Sequence, residues 1–314
     1  MEHQPLRRQN LLRARLTEVD LFERDLFGTG DRMWRRRARG YGEANDYGEA
    51  NDYGEANDYG EAIDFQNPET PQGTDDRVQV LARATNPSTT LFPFNTICHI
   101  DIGGRHGSGT LIAPRVVLTA GHVPQGASSA TVTPGANFPA ATAAQQRPAA
   151  PGSQVSSVFH FHPSLDLALV ILPAAFTRPT QFMMLQPRGD LNTATLLTIA
   201  GYPGAIPLPA TAPIPGSMWR HSDRLRLTNV SETHLTYRID TTAGQSGSPL
   251  WLLGNDGIRL LLGVHIRGGS AANTGVRITC GVIDWIEATC RANSITPLPT
   301  VDGVQRRRVC PPAP

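Results

Sequence analysis

The stretch Ser108–Val123, SGTLIAPRVVLTAGHV, holds two short apolar runs separated by a proline and an arginine. Runs of this length predict β-strands, and the Pro-Arg pair between them predicts a turn. The second run ends at His122, directly after an alanine and a glycine. The stretch therefore predicts a strand pair that holds an imidazole at a strand end, with room beside it for another side chain.

The same alternation of short apolar runs and turn residues continues from about residue 75 to about residue 280. FNTICHIDI, LDLALVIL, HLTYRID and IRLLLGVHI are further apolar or alternating runs separated by turn residues. Many short strands at this spacing predict an all-β barrel or sandwich. VIDWIEATCRAN, near the C-terminus, instead has helical spacing. The candidate buried face of this helix comprises Val282, Ile283, Trp285, Ile286 and Thr289.

The N-terminal part of the chain has a different composition. Residues 1–40 are rich in arginine, and residues 41–64 repeat the hexamer YGEAND with one substitution in the last copy. This polar, low-complexity sequence predicts a flexible leader over residues 1–74. The N-terminus has no apolar run typical of a secretory signal, and no run is long enough to span a membrane.

The charge pattern excludes several chemistries. All 28 basic residues are arginine, so a P-loop lysine, a Schiff-base lysine and a Ser-Lys dyad are excluded. The formal net charge is +1, which predicts no nucleic-acid partner.

The cysteines and one histidine pair predict no metal site. The four cysteines are Cys98, Cys280, Cys290 and Cys310. None forms a C-x-x-C pair, which argues against zinc. Cys280 and Cys290 are either bridged or two buried thiols. His160 and His162 share one face of a predicted strand, but no third ligand accompanies them, so neither a metal nor a cofactor is predicted.

Ser246 lies in DTTAGQSGSPLW and is a candidate nucleophile. Such a serine needs a base and an acid that orients the base. His122 is the candidate base, and Asp166 is the candidate acid because a carboxylate starting an apolar strand needs a partner. Each residue alone is compatible with a structural role, but the order His122, Asp166, Ser246 is that of the chymotrypsin-like scaffold. The N–H groups of Gly244 and Ser246 are the predicted oxyanion hole.

Together with GYPG, GVHIRGG and GVRIT, these motifs resemble the bacterial glutamyl endopeptidases, the V8-like branch of the chymotrypsin-like serine proteases. The resemblance covers about residues 74–292. It implies two six-stranded antiparallel barrels with the site between them and a C-terminal helix. The base and acid then belong to a first barrel over residues 75–185. The serine belongs to a second barrel over residues 186–293, and residues 294–314 form a tail.

The resemblance implies a hydrolase that needs no cofactor and acts on proteins or peptides. Thr241 and His265 match the two positions that hold a substrate glutamate in this branch, which predicts cleavage after Glu and more weakly after Asp. Asp240 offers an alternative, because trypsin-like enzymes bind Arg or Lys with an acid six residues before the serine. A third alternative is an inactive protease fold that serves as a binding module. The family implies secretion, whereas the N-terminus suggests a cytoplasmic protein or a non-standard export route.

The resemblance also bears on activation. Trypsin-type enzymes have an aspartate directly before the serine, where it binds the freed N-terminus, but this chain has Gln245 there. That switch is therefore predicted to be absent. Exposed polar chain is where proteolysis concentrates, and each hexamer carries a glutamate. The leader is thus predicted to be a pro-segment that the enzyme or a similar protease removes, with a permanent tether as the alternative.

Overall fold

The computed structural model of the protein describes residues 76–81, 84, 87–137, 152–187, 191, 196–204, 216–224, 229–254, 257–269 and 271–296. The arginine-rich segment, the hexamer repeat, most of the tail and Cys310 lie outside these residues, so the predictions about them stay predictions. Within the described residues, no helix has the length and apolar character that crossing a membrane requires.

Seven antiparallel strands form the first sheet. After the short strand β1 (Val78–Val80), they are β2 (Ile97–Asp101), β3 (His106–Ala113), β4 (Val116–Thr119), β5 (Ala130–Pro134), β6 (Gln154–Ser156), β7 (Val158–Phe161) and β8 (Ala168–Ile171). Their order is β6-β5-β2-β3-β4-β8-β7. Only Ser157 separates β6 from β7, which lie at the two edges of this order. The sheet therefore closes into a six-stranded barrel in which β6 and β7 act as one interrupted strand.

Strand β4 is buried along its whole length because two cores meet at it. Val116 and Leu118 pack in a core shared with the second sheet and the C-terminal helix. Val117 packs in the core inside the first barrel. Successive side chains of a strand point to opposite faces, so a strand between two cores is buried at every position rather than at every second one.

The second sheet holds six strands of four or more residues and three shorter ones. After β1, its strands are β9 (Met184–Leu185), β10 (Leu196–Gly201), β11 (Met218–Arg224), β12 (Asn229–Val230), β13 (His234–Tyr237), β14 (Pro249–Leu253), β15 (Arg259–Arg267) and β16 (Asn273–Arg277). The order is β1-β11-β10-β14-β15-β16-β13-β12, and β9 pairs with β15. This last pair is parallel, whereas every other pair between described strands is antiparallel.

The C-terminal helix α1 (Cys280–Ala292) is capped at its N-terminus by Thr279, whose hydroxyl oxygen accepts the Val282 N–H at 3.2 Å. This N-cap satisfies one of the otherwise unpaired amides of the first turn. The buried face comprises Val282, Ile283, Ile286 and Cys290. The prediction of Thr289 on that face is wrong, because Cys290 lies there instead.

The cysteine pairing is also clear for this helix. Cys290 carries a free, buried thiol, whereas Cys280 is in a disulfide. Both alternatives from the sequence, a bridge between Cys280 and Cys290 and two buried free thiols, are therefore wrong. Cys98 on β2 is likewise a free, buried thiol, and burial raises the pKa of both free thiols above their ordinary value.

The predicted all-β fold of two antiparallel barrels with a C-terminal helix is confirmed. Two short strands differ from the predicted division of the chain. Strands β1 and β9 fall within residues 75–185 but pair with β11 and β15 of the second sheet. A boundary at residues 185–186 stays a proposal.

The two sheets meet where the β13–β14 loop (Asp240–Ser248) lies against β3. The Ser108 N–H donates to the Ser246 carbonyl oxygen at 2.7 Å. Gly247, the next residue, has a φ of +88°, and a Cβ there would overlap the Ser108 carbonyl oxygen and the Thr119 hydroxyl. Only glycine combines this backbone conformation with such a close approach.

We expect Gly247→Ala to destabilise the fold. The left-handed conformation costs an alanine about 1–2 kcal/mol, and the overlap with Ser108 adds a packing cost of about 1–3 kcal/mol. Gly126→Ala is the matched control, because Gly126 has a φ of +72° but no atom within 4 Å of an added Cβ. Urea unfolding should show a clearly larger loss of unfolding free energy for Gly247→Ala. Equal losses in the two variants would contradict this description of the contact.

Candidate active site

His122 and Asp166 are joined by two hydrogen bonds. The His122 backbone N–H donates to Asp166 Oδ1 at 2.8 Å, and its ring Nδ1 lies 2.7 Å from Asp166 Oδ2. Because an ionised carboxylate only accepts, Nδ1 carries the proton and Nε2 keeps its lone pair. A Cβ at Gly121 would lie 2.9 Å from Asp166 Oδ1. Asp166 therefore occupies the space that the small residues before His122 leave open.

Opposing effects act on the Asp166 carboxyl. Burial alone raises its pKa. The hydrogen bond and charge of His122, with the N–H groups of His122 and Gly121, act in the opposite direction and outweigh burial. The net pKa is below the ordinary value for aspartate, so the carboxylate is ionised at neutral pH and stabilises a protonated imidazole.

Ser246 approaches the histidine segment from the second sheet. A Cβ built on Gly107 would lie 2.7 Å from Val123 Cγ1 and 3.3 Å from the Ser246 carbonyl oxygen. The residue after the histidine and the candidate nucleophile thus flank one glycine of β3. Within the described residues, no hydrogen bond joins Ser246 Oγ to His122 Nε2. Such bonds are often long in free enzymes and shorten when substrate binds.

The amides of the β13–β14 loop fall into two groups. The N–H groups of Gln245, Gly247 and Ser248 each donate to a backbone carbonyl at 2.7–3.1 Å. Those of Gly244 and Ser246 donate to no group in the part of the chain that the structure describes. The N–H groups of Thr241 and Ala243 likewise donate to no described group, so the two amides predicted to form the oxyanion hole are among those that the rest of the loop leaves unused.

Thr241 belongs to the β13–β14 loop, and His265 lies on β15 beside that loop. Both residues are buried. Thr241 is 1% exposed, and its hydroxyl has no hydrogen-bond partner within the described residues. His265 is fully buried, and its backbone accepts from Gly247 and donates to Ser248. The Tyr237 hydroxyl lies 2.5 Å from His265 Nδ1. When this hydroxyl donates, the ring proton is on Nε2, which makes that nitrogen a hydrogen-bond donor.

Asp240, the alternative specificity residue, is buried and already bonded. Its Oδ2 accepts the Asp76 N–H at 3.0 Å and lies 3.3 Å from His221 Nδ1. His221 Nδ1 in turn accepts the Asp240 N–H at 3.1 Å. The three side chains bring potential metal ligands within 4.8 Å of one another, but these bonds already use Oδ2 and Nδ1. We therefore describe the cluster as a contact between the N-terminal segment and the loop.

His160 and His162 make structural contacts. His162 Nδ1 accepts the N–H groups of Ser164 and Leu165 at 3.2 and 3.1 Å. His160 Nε2 lies 3.0 Å from the side-chain nitrogen of Asn293, just after helix α1. These bonds hold a turn and the end of the helix.

Comparison with known proteins agrees with this architecture. The family model of the trypsin-like peptidase domain matches residues 107–257. Glutamyl endopeptidase of Bacillus licheniformis is 32% identical over 234 residues, which cover 68% of this chain and 66% of that protein. A protein of Bacillus subtilis named extracellular metalloprotease is 27% identical over 233 residues, which cover 68% of each chain.

A solved structure gives the same result. Glu endopeptidase in complex with MPD matches with a TM-score of 0.53 and 26% identity, over 69% of this chain and 97% of that chain. The chain belongs to the glutamyl endopeptidase branch of the chymotrypsin-like serine proteases. Its relatives and its fold are those of serine endopeptidases. The chain spans about two thirds of the length of the curated relatives.

The structure adds three residues that sequence reasoning did not select. Tyr237 contacts the His265 ring, Ser108 holds the β13–β14 loop, and Arg77 bonds to side chains of that loop. Tyr237 and Ser108 lie in runs already recognised as strands, but no local pattern distinguishes them from other strand residues. Arg77 is 165 residues from its partner Thr242, and only the fold reveals this contact.

We expect Asp166→Asn to change how stability depends on pH. The folded pKa lies below the unfolded value of about 3.9. The ionised carboxylate therefore stabilises the fold fully above that value, and the contribution is lost as pH falls through the folded pKa. In urea titrations, the gap in unfolding free energy between wild type and Asp166→Asn should shrink as the pH falls below about pH 4. A gap that stays constant down to about pH 2 would contradict the pairing.

Proposed function

We propose that the chain is a serine endopeptidase that cleaves peptide bonds after glutamate, and more weakly after aspartate, with His122, Asp166 and Ser246 as its triad. The observation that carries this proposal is the burial of two donors, the Thr241 hydroxyl and the His265 ring, beside the loop of the candidate nucleophile. The substrate is a protein or peptide.

The geometry supports a two-step hydrolysis. Ser246 Oγ attacks the carbonyl carbon of the scissile bond while His122 Nε2 takes its proton. Asp166 holds the imidazole by its Nδ1 and stabilises the cation that forms. The negative charge on the former carbonyl oxygen is met by the Gly244 and Ser246 N–H groups, and each such donor contributes about 3–4 kcal/mol.

The second half of the reaction reverses these proton transfers. His122 gives its proton to the leaving amine, and the C–N bond breaks. The acyl group is then an ester of Ser246. Water attacks the ester carbon while His122 Nε2 accepts a proton from the water. His122 then returns this proton to Ser246 Oγ as the ester C–O bond breaks, which frees the serine and a peptide that ends in glutamate.

Selectivity for glutamate follows from the donors in the pocket. A carboxylate that leaves water must be hydrogen-bonded, or its burial is very costly. The Thr241 hydroxyl and the His265 Nε2–H can each donate to it, and charge-assisted bonds contribute about 1.5–3 kcal/mol apiece. The shorter side chain of aspartate reaches the same donors less well, which makes aspartate the weaker substrate.

Cleavage after arginine or lysine is less well supported. It requires the Asp240 carboxylate to face the substrate, whereas its Oδ2 already accepts the Asp76 N–H and lies 3.3 Å from His221 Nδ1. A purely binding role is also less well supported, because a binding module needs neither the His122–Asp166 pair nor two unused amides around Ser246.

Ser246→Ala should abolish peptidase activity and leave the fold intact. Removing the nucleophile of such a triad costs on the order of 10⁴- to 10⁶-fold in kcat. Hydrolysis of a fluorogenic peptide amide with glutamate before the scissile bond measures the loss, and circular dichroism checks the fold. The matched control is Ser248→Ala, two residues further along the same loop, which should keep most of the activity. Substantial activity in Ser246→Ala would exclude Ser246 as the nucleophile.

Thr241→Val should lower selectivity for glutamate. The substitution keeps the shape and removes one donor, so kcat/KM for glutamyl peptides should fall about 10- to 150-fold. Matched glutaminyl peptides should lose much less. Thr110→Val is the control, because the Thr110 hydroxyl is also buried without a partner in the described residues but lies on β3. Equal losses for both peptides, or wild-type cleavage mainly after arginine, would reject this pocket.

A further inference from the structure

Arg77 reaches the β13–β14 loop from the segment that precedes β1. Its side chain is 6% exposed, and its Nη1 lies 2.8 Å from Thr242 Oγ1 and 2.9 Å from Gln245 Oε1. A guanidinium presents its donors in a planar, rigid arrangement. It therefore fixes the two acceptors at set positions relative to each other.

The two partners of Arg77 stand on either side of Gly244. The Gln245 N–H donates to the Thr242 carbonyl at 3.1 Å, and the Thr242 N–H donates to Gln245 Oε1 at 3.0 Å. Gly244 lies inside this closed turn with a φ of +92°. The Ala243 carbonyl accepts the Gly204 N–H at 2.6 Å and the Gly244 carbonyl accepts the Ser108 hydroxyl at 3.1 Å, so the Arg77 bonds stabilise the turn together with these two bonds.

We propose that Arg77 is a positioning residue, which holds the Thr242–Gln245 turn so that the Gly244 and Ser246 N–H groups point at the developing oxyanion. The proposal rests on the proposed function of Ser246. Gln245 occupies the position at which trypsin-type enzymes have the aspartate that binds a freed N-terminus. Here Gln245 accepts from an arginine side chain, and the turn is held without a free amine.

The size of the effect follows from the geometry that an oxyanion hole requires. Its donors must lie about 2.7–3.1 Å from the transition-state oxygen, and a misplacement of about 1 Å costs about 100-fold. Loss of the Arg77 bonds allows such a displacement of the Gly244 amide. His265 is held by Tyr237 and by its backbone bonds to Gly247 and Ser248 rather than by Arg77, so binding of the substrate side chain should change little.

The variant Arg77→Met tests the proposal, because it keeps the length of the side chain and removes every donor. On a glutamyl peptide amide, kcat should fall about 100-fold while KM changes less than about threefold. A peptide aldehyde ending in glutamate adds to the serine and places its oxygen in the oxyanion hole, so its affinity should fall by a similar factor. A product peptide that ends in a glutamate carboxylate should bind as before.

Three further variants complete the test. Arg77→Lys should recover part of kcat. Gln245→Met should reproduce the loss, and the double variant Arg77→Met/Gln245→Met should lose no more than either single variant. Arg259→Met is the matched control and should keep wild-type kcat. Arg259 is 7% exposed and its Nη1 donates to the Gly257 carbonyl at the far end of β15 from His265.

Unchanged kcat in Arg77→Met, or a loss that appears in KM and in product binding, would overturn the role of Arg77. If Arg77→Met does not fold, the same kcat, KM and inhibitor measurements on Gln245→Met test the proposal. A wild-type kcat in Gln245→Met would then overturn it. These outcomes are distinct from failure of the proposed function, in which the wild type shows no activity or Ser246→Ala keeps it.

Discussion

Ser108 is the residue on which the arrangement of the site depends, because its N–H and its hydroxyl both bond to the second sheet and its loop. Its N–H donates to the Ser246 carbonyl at 2.7 Å, and its hydroxyl donates to the Gly244 carbonyl at 3.1 Å. The same hydroxyl accepts the Tyr202 N–H at 2.9 Å, and the Ser108 carbonyl accepts from Thr119 Oγ1 at 2.7 Å. Ser108 is fully buried, so these bonds are shielded from competition with water. A single residue of the first barrel thereby fixes the nucleophile loop of the second.

The two sheets then contribute different parts of the chemistry. The first barrel presents His122 just after a strand that packs against two cores, and Asp166 holds its ring and its backbone. The second sheet supplies the loop with the unused amides and, on β15, His265 beside that loop. The base is thus held rigidly on one side and the oxyanion donors on the other. Their relative position depends on the contact between the sheets and on the side chains that stabilise the loop.

Local sequence predicted the parts of the structure that depend on nearby residues. Apolar patterning predicted the strands and the C-terminal helix. The cost of a buried charge predicted that Asp166 needs a partner. The assignment of the Gly244 and Ser246 N–H groups to an oxyanion hole stays a prediction. The parallel pairing of β9 could not be predicted from the sequence, because a strand of two residues carries almost no periodic signal.

Contacts between distant residues escaped prediction for a different reason. Arg77 and Gln245 are 168 residues apart, and Tyr237 and His265 are 28 apart on strands that do not pair directly. Asp240 looked like a specificity residue because of its spacing from Ser246. The structure instead pairs it with the amide of Asp76, 164 residues earlier. Spacing along the chain defines candidate roles, but the bonds that a side chain already makes decide whether it remains available to a substrate.

The most direct test of this account is the site and selectivity of covalent labelling by peptidyl diphenyl phosphonates. These reagents phosphonylate a serine only when a triad activates it, and their side chain must enter the specificity pocket. The account predicts one adduct per chain, on Ser246, that forms with the glutamate reagent and much more slowly with its arginine counterpart, as measured by intact mass and peptide mapping. No adduct, an adduct on another serine, or faster labelling by the arginine reagent would contradict it.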